Sequence, residues 1–167
     1  PSDAPRVKIS GTNYYGAEIT FYDRNNEIRE EIGKQIANEK GATIIPPYDD
    51  RYVIAGQGTV GLELCAQALA MDATPDLALI PCGGGGLIAG CGIALRRQFP
   101  NILIHPVEPE GFDDTARSLA AGERLRVDPD CMSFCDALLA PMPGELTFSI
   151  NKRLLAGGLV VLSLIHI

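Results

Sequence analysis

The 167-residue chain contains no tryptophan, and phenylalanine and tyrosine supply only 6% of it, so any core it builds is aliphatic. It lacks a basic surplus. Fourteen Lys and Arg face 21 Asp and Glu, a formal charge of −7, which excludes the clustered positive surface that nucleic-acid backbones require. The adjacent pair Arg96-Arg97 reads as a solvated helix face. No run of about 18 apolar residues is present, and no charged-then-apolar segment opens the chain, so neither a spanning helix nor a signal peptide is expected. Five cysteines (Cys65, Cys82, Cys91, Cys131, Cys135) include no C-x-x-C pair. Cys131 and Cys135 would share a helix face, but without a second pair of ligands zinc is not expected. Reduced thiols and a cytoplasmic location are the expectation. The chain also lacks an initial methionine. Its opening Pro1-Ser2-Asp3-Ala4-Pro5 and its closing Leu162-Ser163-Leu164-Ile165-His166-Ile167 suggest an internal piece of a longer protein, with 162–167 a doubtful tail.

What is present is an alternation of strand and helix signals. A short helix around Pro5 to Tyr15 leads to a strand at Glu18 to Tyr22. Asp23 and Asn25 offer N-caps to a helix in which Ile28, Ile32 and Ile36 recur every four residues, and Gly41 stops it. Thr43 to Ile45 reads as a brief strand, and Pro46-Pro47-Tyr48-Asp49-Asp50 as a turn and domain junction. Thr59 caps a helix to about Met71. A strand from Leu77 to Ile80 then enters four consecutive glycines, and the next helix runs to about Phe99 before Pro100. Ile102 to Val107 is a strand, Asp114 to Ala121 and Glu145 to Leu155 are helices, and Leu159 to Val161 is strand-like. This order predicts an α/β fold of βαβ units with a parallel sheet and right-handed crossovers.

The strand into Gly83-Gly84-Gly85-Gly86 and the helix after it form the most informative segment. Bare backbone at a helix N-terminus can adopt φ > 0, approach a ligand closely and offer unpaired N–H groups to an anion. A phosphate is the expected guest, at the carboxyl end of a parallel strand where such ligands gather. Three readings compete. Gly84-x-Gly86-x-x-Ala89, with Glu108 22 residues beyond Gly86 at the end of the next strand, fits a dinucleotide site with Glu108 on the ribose. Four bare amides better suit a terminal phosphate wrapped on several sides. A glycine turn that merely permits tight packing is the third.

Other motifs are weaker. Gly56-Gln57-Gly58-Thr59-Val60-Gly61 is a literal G-x-G-x-x-G, but no acid stands about 20 residues on, and its glycines would serve a sharp entry into the helix capped by Thr59. Glu108-Pro109-Glu110-Gly111-Phe112-Asp113-Asp114 gathers four carboxylates in seven residues. Such spacing suits a hard cation, and equally an acidic loop in which Asp113 or Asp114 caps a helix. His105 has no Ser or Cys partner at motif spacing. The four lysines, Lys8, Lys34, Lys40 and Lys152, lie outside any glycine-rich or phosphate-binding context, so no Schiff-base lysine is visible.

Taken together, Val53-Ile54-Ala55-Gly56-Gln57-Gly58-Thr59, the strand with Gly83 to Gly90, and Val107-Glu108-Pro109-Glu110-Gly111-Phe112-Asp113-Asp114 resemble the serine/threonine dehydratases. These are pyridoxal-phosphate (PLP) enzymes of the tryptophan-synthase-β type (fold type II), a family that includes serine racemase. Lys8, Thr12 and Tyr15-Gly16-Ala17-Glu18 resemble the helix and strand of the family's smaller domain. The resemblance implies residues 1–48 as a remnant of that domain and 49–161 as the core of the larger, PLP-binding one. It implies a PLP phosphate held by the amides of Gly83, Gly84, Gly85 and Gly86, with Leu87 completing the loop. It further implies Mg²⁺ or Ca²⁺ held by the carboxylates of Glu108 and Asp114 and the carbonyl of Phe112. The activity implied is β-elimination of serine or threonine to a 2-oxo acid and ammonia, by a homodimer in the full-length protein.

The family's S-x-K-x-R-G and S-G-N-H motifs are absent from these residues, and no catalytic residue is assigned. The 167-residue chain alone is therefore expected to be inactive. A racemase or another eliminase on the same scaffold is the alternative enzyme, and a non-catalytic, Rossmann-like nucleotide-binding module the alternative of another class.

Overall fold

The computed structural model describes residues 1–24 and 26–162, so the Asn25 cap and the Ser163 to Ile167 end of the tail lie outside the described residues. The chain divides into two compact units, Pro1–Ile44 and Ile45–Ile167.

The smaller unit holds helix α1 (Arg6–Tyr14) and helix α2 (Arg29–Lys40). Gly41 closes α2 in the left-handed conformation at φ 63°, the expected stop. The start of α2 differs from expectation: its cap position is Ile28, without a side-chain cap. Asp23 instead organises the turn before the helix, its carbonyl accepting from Asn26 and Glu27. The segments 18–22 and 43–45, read as strands, are not strands in the structure. A β-prone run becomes a strand only when another strand takes its hydrogen bonds.

In the larger unit a parallel sheet forms from β1 (Leu77–Pro81), β2 (Leu103–Pro109) and β3 (Leu159–Val161), in that order. Leu79 pairs with His105, and Glu108 with Val160. Helices α3 (Arg51–Ala70) and α4 (Gly86–Gln98) pack on each other beside the sheet, followed by α5 (Asp114–Ala121) and α6 (Glu145–Leu154). The core joins Cys65 of α3, Ile88, Cys91 and Leu95 of α4, and Ile80, Ile102 and Ile104 at the sheet. Each such aliphatic side chain stabilises by roughly 1.5–3 kcal/mol on full burial.

Helix α3 corrects the reading of the G-x-G-x-x-G run. It begins eight residues before Thr59 and is capped by Asp50, whose side chain accepts from the amides of Tyr52 and Val53. Thr59 lies inside it and donates to the Gly56 carbonyl at 2.8 Å. Gly58 and Gly61 form a contact face instead of a loop, while Gly56 faces open space. A Cβ on Gly61 would stand 2.8 Å from the Cys91 backbone, and one on Gly58 would stand 3.3 Å from the Gly90 carbonyl. Two thiols bridge the same seam, Cys91 to Gln57 O at 3.6 Å and Cys65 to Ala94 O at 3.8 Å. By length and apolar composition α3 is also the one described helix that could cross a membrane. Its glycine face is packed on α4, while Val60, Leu62 and Leu64 are exposed.

Arg96 is more than a solvated side chain, since its guanidinium donates to the carbonyls of Pro100 and Leu154.

Candidate active site

Strand β1 ends at Pro81, and Cys82 then ties the chain back to β2 by donating its amide to Val107 O. The four glycines follow at the carboxyl end of the strand and deliver the chain into α4. Gly85, at φ 92°, makes the left-handed corner. Among the described residues no carbonyl or side chain accepts from the amides of Gly83, Gly84, Gly85 or Gly86. Bare donors at the positive end of a helix are the chemistry of an anion cradle. Leu87 and Ile88 continue the first turn, with Leu87 packed at the margin of the core.

The cradle has close walls. The ring of Tyr48 occupies the space a Cβ on Gly84 would need, and the Tyr48 backbone stands 3.1 Å from the Cβ position of Gly86. Gly83 faces Leu138, the last residue of a 3-10 turn, Asp136–Leu138. Helix α6 forms the rear wall. Thr147 donates its hydroxyl to Gly84 O at 2.7 Å, and Asn151 donates its side-chain amide to Gly85 O at 3.2 Å.

Asp49 fixes α6 in turn. Its carboxylate accepts from the amides of Glu145 at 2.9 Å and Thr147 at 3.0 Å. Neighbouring aspartates thus cap two helices, Asp49 for α6 and Asp50 for α3. Of the two helix N-termini beside the loop, that of α6 already holds a carboxylate and that of α4 is open.

The acidic block behaves differently from a simple capping loop. Neither Asp113 nor Asp114 caps α5 with its side chain. The cap is Glu108, at the end of β2, whose two oxygens accept from Thr115 N at 2.9 Å and Ala116 N at 2.8 Å. Glu108 is fully buried, at 0% exposure, and so cannot present itself to a ribose. Burial pushes its carboxyl up, partly opposed by the two amides.

Asp114 is 1% exposed, and its Oδ2 has no partner. Burial first, and then the charge of Glu108, push it up to about 7. The Phe112 carbonyl is spared from the helix ladder, because the amide of Ala116 that would return to it donates to Glu108. Two mutually repelling buried carboxylates, an orphaned oxygen and a spare carbonyl form a donor set that fits a hard cation. Among the described residues no three His, Cys, Asp or Glu side chains cluster for a metal, so carbonyl or water oxygens would complete the shell.

Cys82 joins this cluster through Thr115 at 3.4 Å. Burial lifts its thiol to about 12, and the nearby carboxylates add to the shift. It is a packing group, not a nucleophile. His105 lies mid-strand in β2, its Nδ1 buried without a partner. The single lysine of the larger unit, Lys152, donates to Gly122 O at 2.6 Å.

Residues 1–163 match the family model described as pyridoxal-phosphate dependent enzyme. The chain belongs to that family. It is 39% identical over 154 residues to serine racemase of Schizosaccharomyces pombe, covering 92% of this chain and 46% of that protein. It is 41% identical over 153 residues to L-threo-3-hydroxyaspartate ammonia-lyase of Saccharomyces cerevisiae, covering 92% and 45%. Among solved structures, maize serine racemase superposes with a TM-score of 0.88 at 37% identity, covering 98% of this chain and 48% of that one. The serine racemase of Dictyostelium discoideum gives 0.81 at 37% identity, covering 98% and 50%. The chain thus spans about half the length of these relatives.

Family membership, the helical setting of Gly56 to Gly61 and the burial of Glu108 together set aside the nucleotide-binding module. Four residues of the site escaped sequence reading: Tyr48, Asp49, Thr147 and Asn151. The last two carried a usable signal, since polar residues four apart flank the apolar Phe148 on one face of α6.

Proposed function

We propose that the whole protein carrying this chain is a PLP-dependent ammonia-lyase that converts serine, threonine or a related β-hydroxy amino acid to a 2-oxo acid and ammonia, the water lost in β-elimination being taken up again when the released enamine hydrolyses. The carrying observation is the open cradle of Gly83 to Gly86 at the N-terminus of α4. In this reading the amides of Gly83, Gly84, Gly85 and Gly86 hold the cofactor phosphate, and Leu87 closes the loop. PLP, when bound, supplies the electron sink for the charge left at the α-carbon. The residues of this chain orient the cofactor: Tyr48 flanks the loop, and α6 backs it. Glu108, Asp114 and the Phe112 carbonyl hold Mg²⁺ or Ca²⁺, a role supported by the orphaned Asp114 oxygen and the mutual repulsion of the carboxylates.

Racemisation of serine is the second reading, favoured by the serine racemases among the relatives. The test is product analysis of the whole protein loaded with PLP. Pyruvate from serine or 2-oxobutanoate from threonine supports elimination, D-serine supports racemisation, and neither product overturns both. The 167-residue chain alone is expected to form no 2-oxo acid, because none of its four lysines stands in an S-x-K-x-R-G motif.

A further inference from the structure

Four consecutive glycines make up the loop, and its usefulness depends on which way its peptides point. A Gly-Gly peptide can rotate to aim either its N–H or its carbonyl at the space in front of it, because glycine has little torsional preference. An anion there is attracted by one orientation and repelled by the other. Something must choose.

We infer that Thr147 and Asn151 of α6 are positioning residues that lock the loop in its anion-binding orientation; this rests on the phosphate-cradle reading given above. Thr147 Oγ1 donates to Gly84 O at 2.7 Å, and the Gly144 amide donates to the same carbonyl at 3.2 Å. Asn151 Nδ2 donates to Gly85 O at 3.2 Å, the carbonyl that also takes the Ala89 amide of α4 at 3.0 Å. Both side chains are buried, at 0% and 1% exposure. Four residues apart, they stand on one face of α6 and engage successive carbonyls.

In a trans peptide the N–H points opposite to the carbonyl of the same plane. Drawing Gly84 O and Gly85 O toward α6 therefore turns the Gly85 and Gly86 amides away from α6, into the open side of the loop. A peptide flip would break these bonds and leave buried hydroxyl and amide donors without acceptors. Asp49 completes the device by occupying the N-terminus of α6, so that this helix presents hydrogen-bond donors to the loop carbonyls and does not compete for the anion.

The test compares PLP with pyridoxal, which lacks only the phosphate, by fluorescence titration of the whole protein, with the ³¹P shift of bound PLP as a second readout. Wild type should prefer PLP. Thr147→Val, which keeps shape but removes the hydroxyl, should lose about tenfold in PLP affinity, the equivalent of one net hydrogen bond. Its pyridoxal affinity should hold within about twofold, and its ³¹P shift should move. Thr147→Ser should restore PLP binding, and it also serves if the valine variant fails to fold. Asn151→Asp, which turns a donor into a repelling oxygen, should act in the same direction. Equal loss for both ligands, or unchanged PLP affinity in Thr147→Val and Asn151→Asp, overturns the positioning role. A wild-type protein that does not distinguish PLP from pyridoxal overturns the cradle reading itself.

Discussion

Asp49 and Thr147 stand 98 positions apart in the chain and meet through a 3.0 Å hydrogen bond from the Thr147 amide to the Asp49 carboxylate. The second oxygen of Asp49 takes the Glu145 amide, so one side chain satisfies two of the donors that open α6. The hydroxyl of the same Thr147 holds Gly84. A single contact therefore links the turn before α3, the start of α6 and the glycine loop.

Replacing Asp49 with alanine leaves those donors without a partner and removes a negative charge from the helix start. The expected loss is about 1–2 kcal/mol of stability, read as a lower midpoint in urea denaturation. Asp49→Asn keeps one acceptor and should recover part of it. An unchanged midpoint in Asp49→Ala would show that water caps the helix equally well.

Two glycines of α3 should respond with opposite signs. Gly56 is exposed, and a Cβ there meets nothing within 4 Å, so Gly56→Ala should stabilise by about 0.5–1 kcal/mol through helix propensity alone. A Cβ on Gly61 stands 2.8 Å from the Cys91 backbone and 2.9 Å from Ala94 Cβ, so Gly61→Ala must push α3 off α4. It should cost roughly 1–3 kcal/mol. Equal effects in thermal melts would refute the packing role of the run.

Within the cradle, Gly85→Ala meets two obstacles, a φ of 92° and Asn151 at 2.8 Å from the new methyl. Together they should cost about 2–4 kcal/mol. Gly83→Ala is the control. Its Cβ would sit at ordinary contact, 3.4 Å from Leu138, with no left-handed angle, and its stability should change little. Matching losses in the two variants would show that the corner at Gly85 can relax.

Local signals made much of this fold legible. The strand from Leu77 to Ile80, which the structure extends to Pro81, the glycine loop, the stop before Pro100 and the helix at Asp114 are written in neighbouring residues. Thr59 misled because a glycine-rich run followed by a good capping residue looks like a loop, whereas Gly58 and Gly61 serve a helix–helix contact formed with residues about 30 positions away. The caps on α5 and α6 were unreadable for a related reason: Glu108 and Asp49 reach their helices from elsewhere in the fold. The segments 18–22 and 43–45 were β-prone in composition, but pairing is a property of neighbours. The cradle was visible as four glycines; the residues that orient it were not, because α6 lies some 60 residues further on.

The acidic pair gives a prediction with a definite sign. Asp114 titrates near 3.8 ordinarily and is pushed up to about 7 in the folded chain, by burial and then by Glu108. Between those values the folded chain keeps a proton that the unfolded chain has released, so its contribution to stability is fully present below the lower value and is lost as pH rises through the upper one. Glu108, also raised, acts in the same direction. Stability should therefore decline from about pH 4 to about pH 7, and Asp114→Asn should flatten that decline. A hard cation acts where the proton has left. Mg²⁺ or Ca²⁺ added at about pH 8 should raise the melting temperature of wild type, should do so much less at about pH 5 where protons compete, and should leave Asp114→Asn unmoved. A cation effect equal in wild type and Asp114→Asn would place the ion elsewhere, and a pH profile identical in the two would mean that Asp114 is already ionised in the fold.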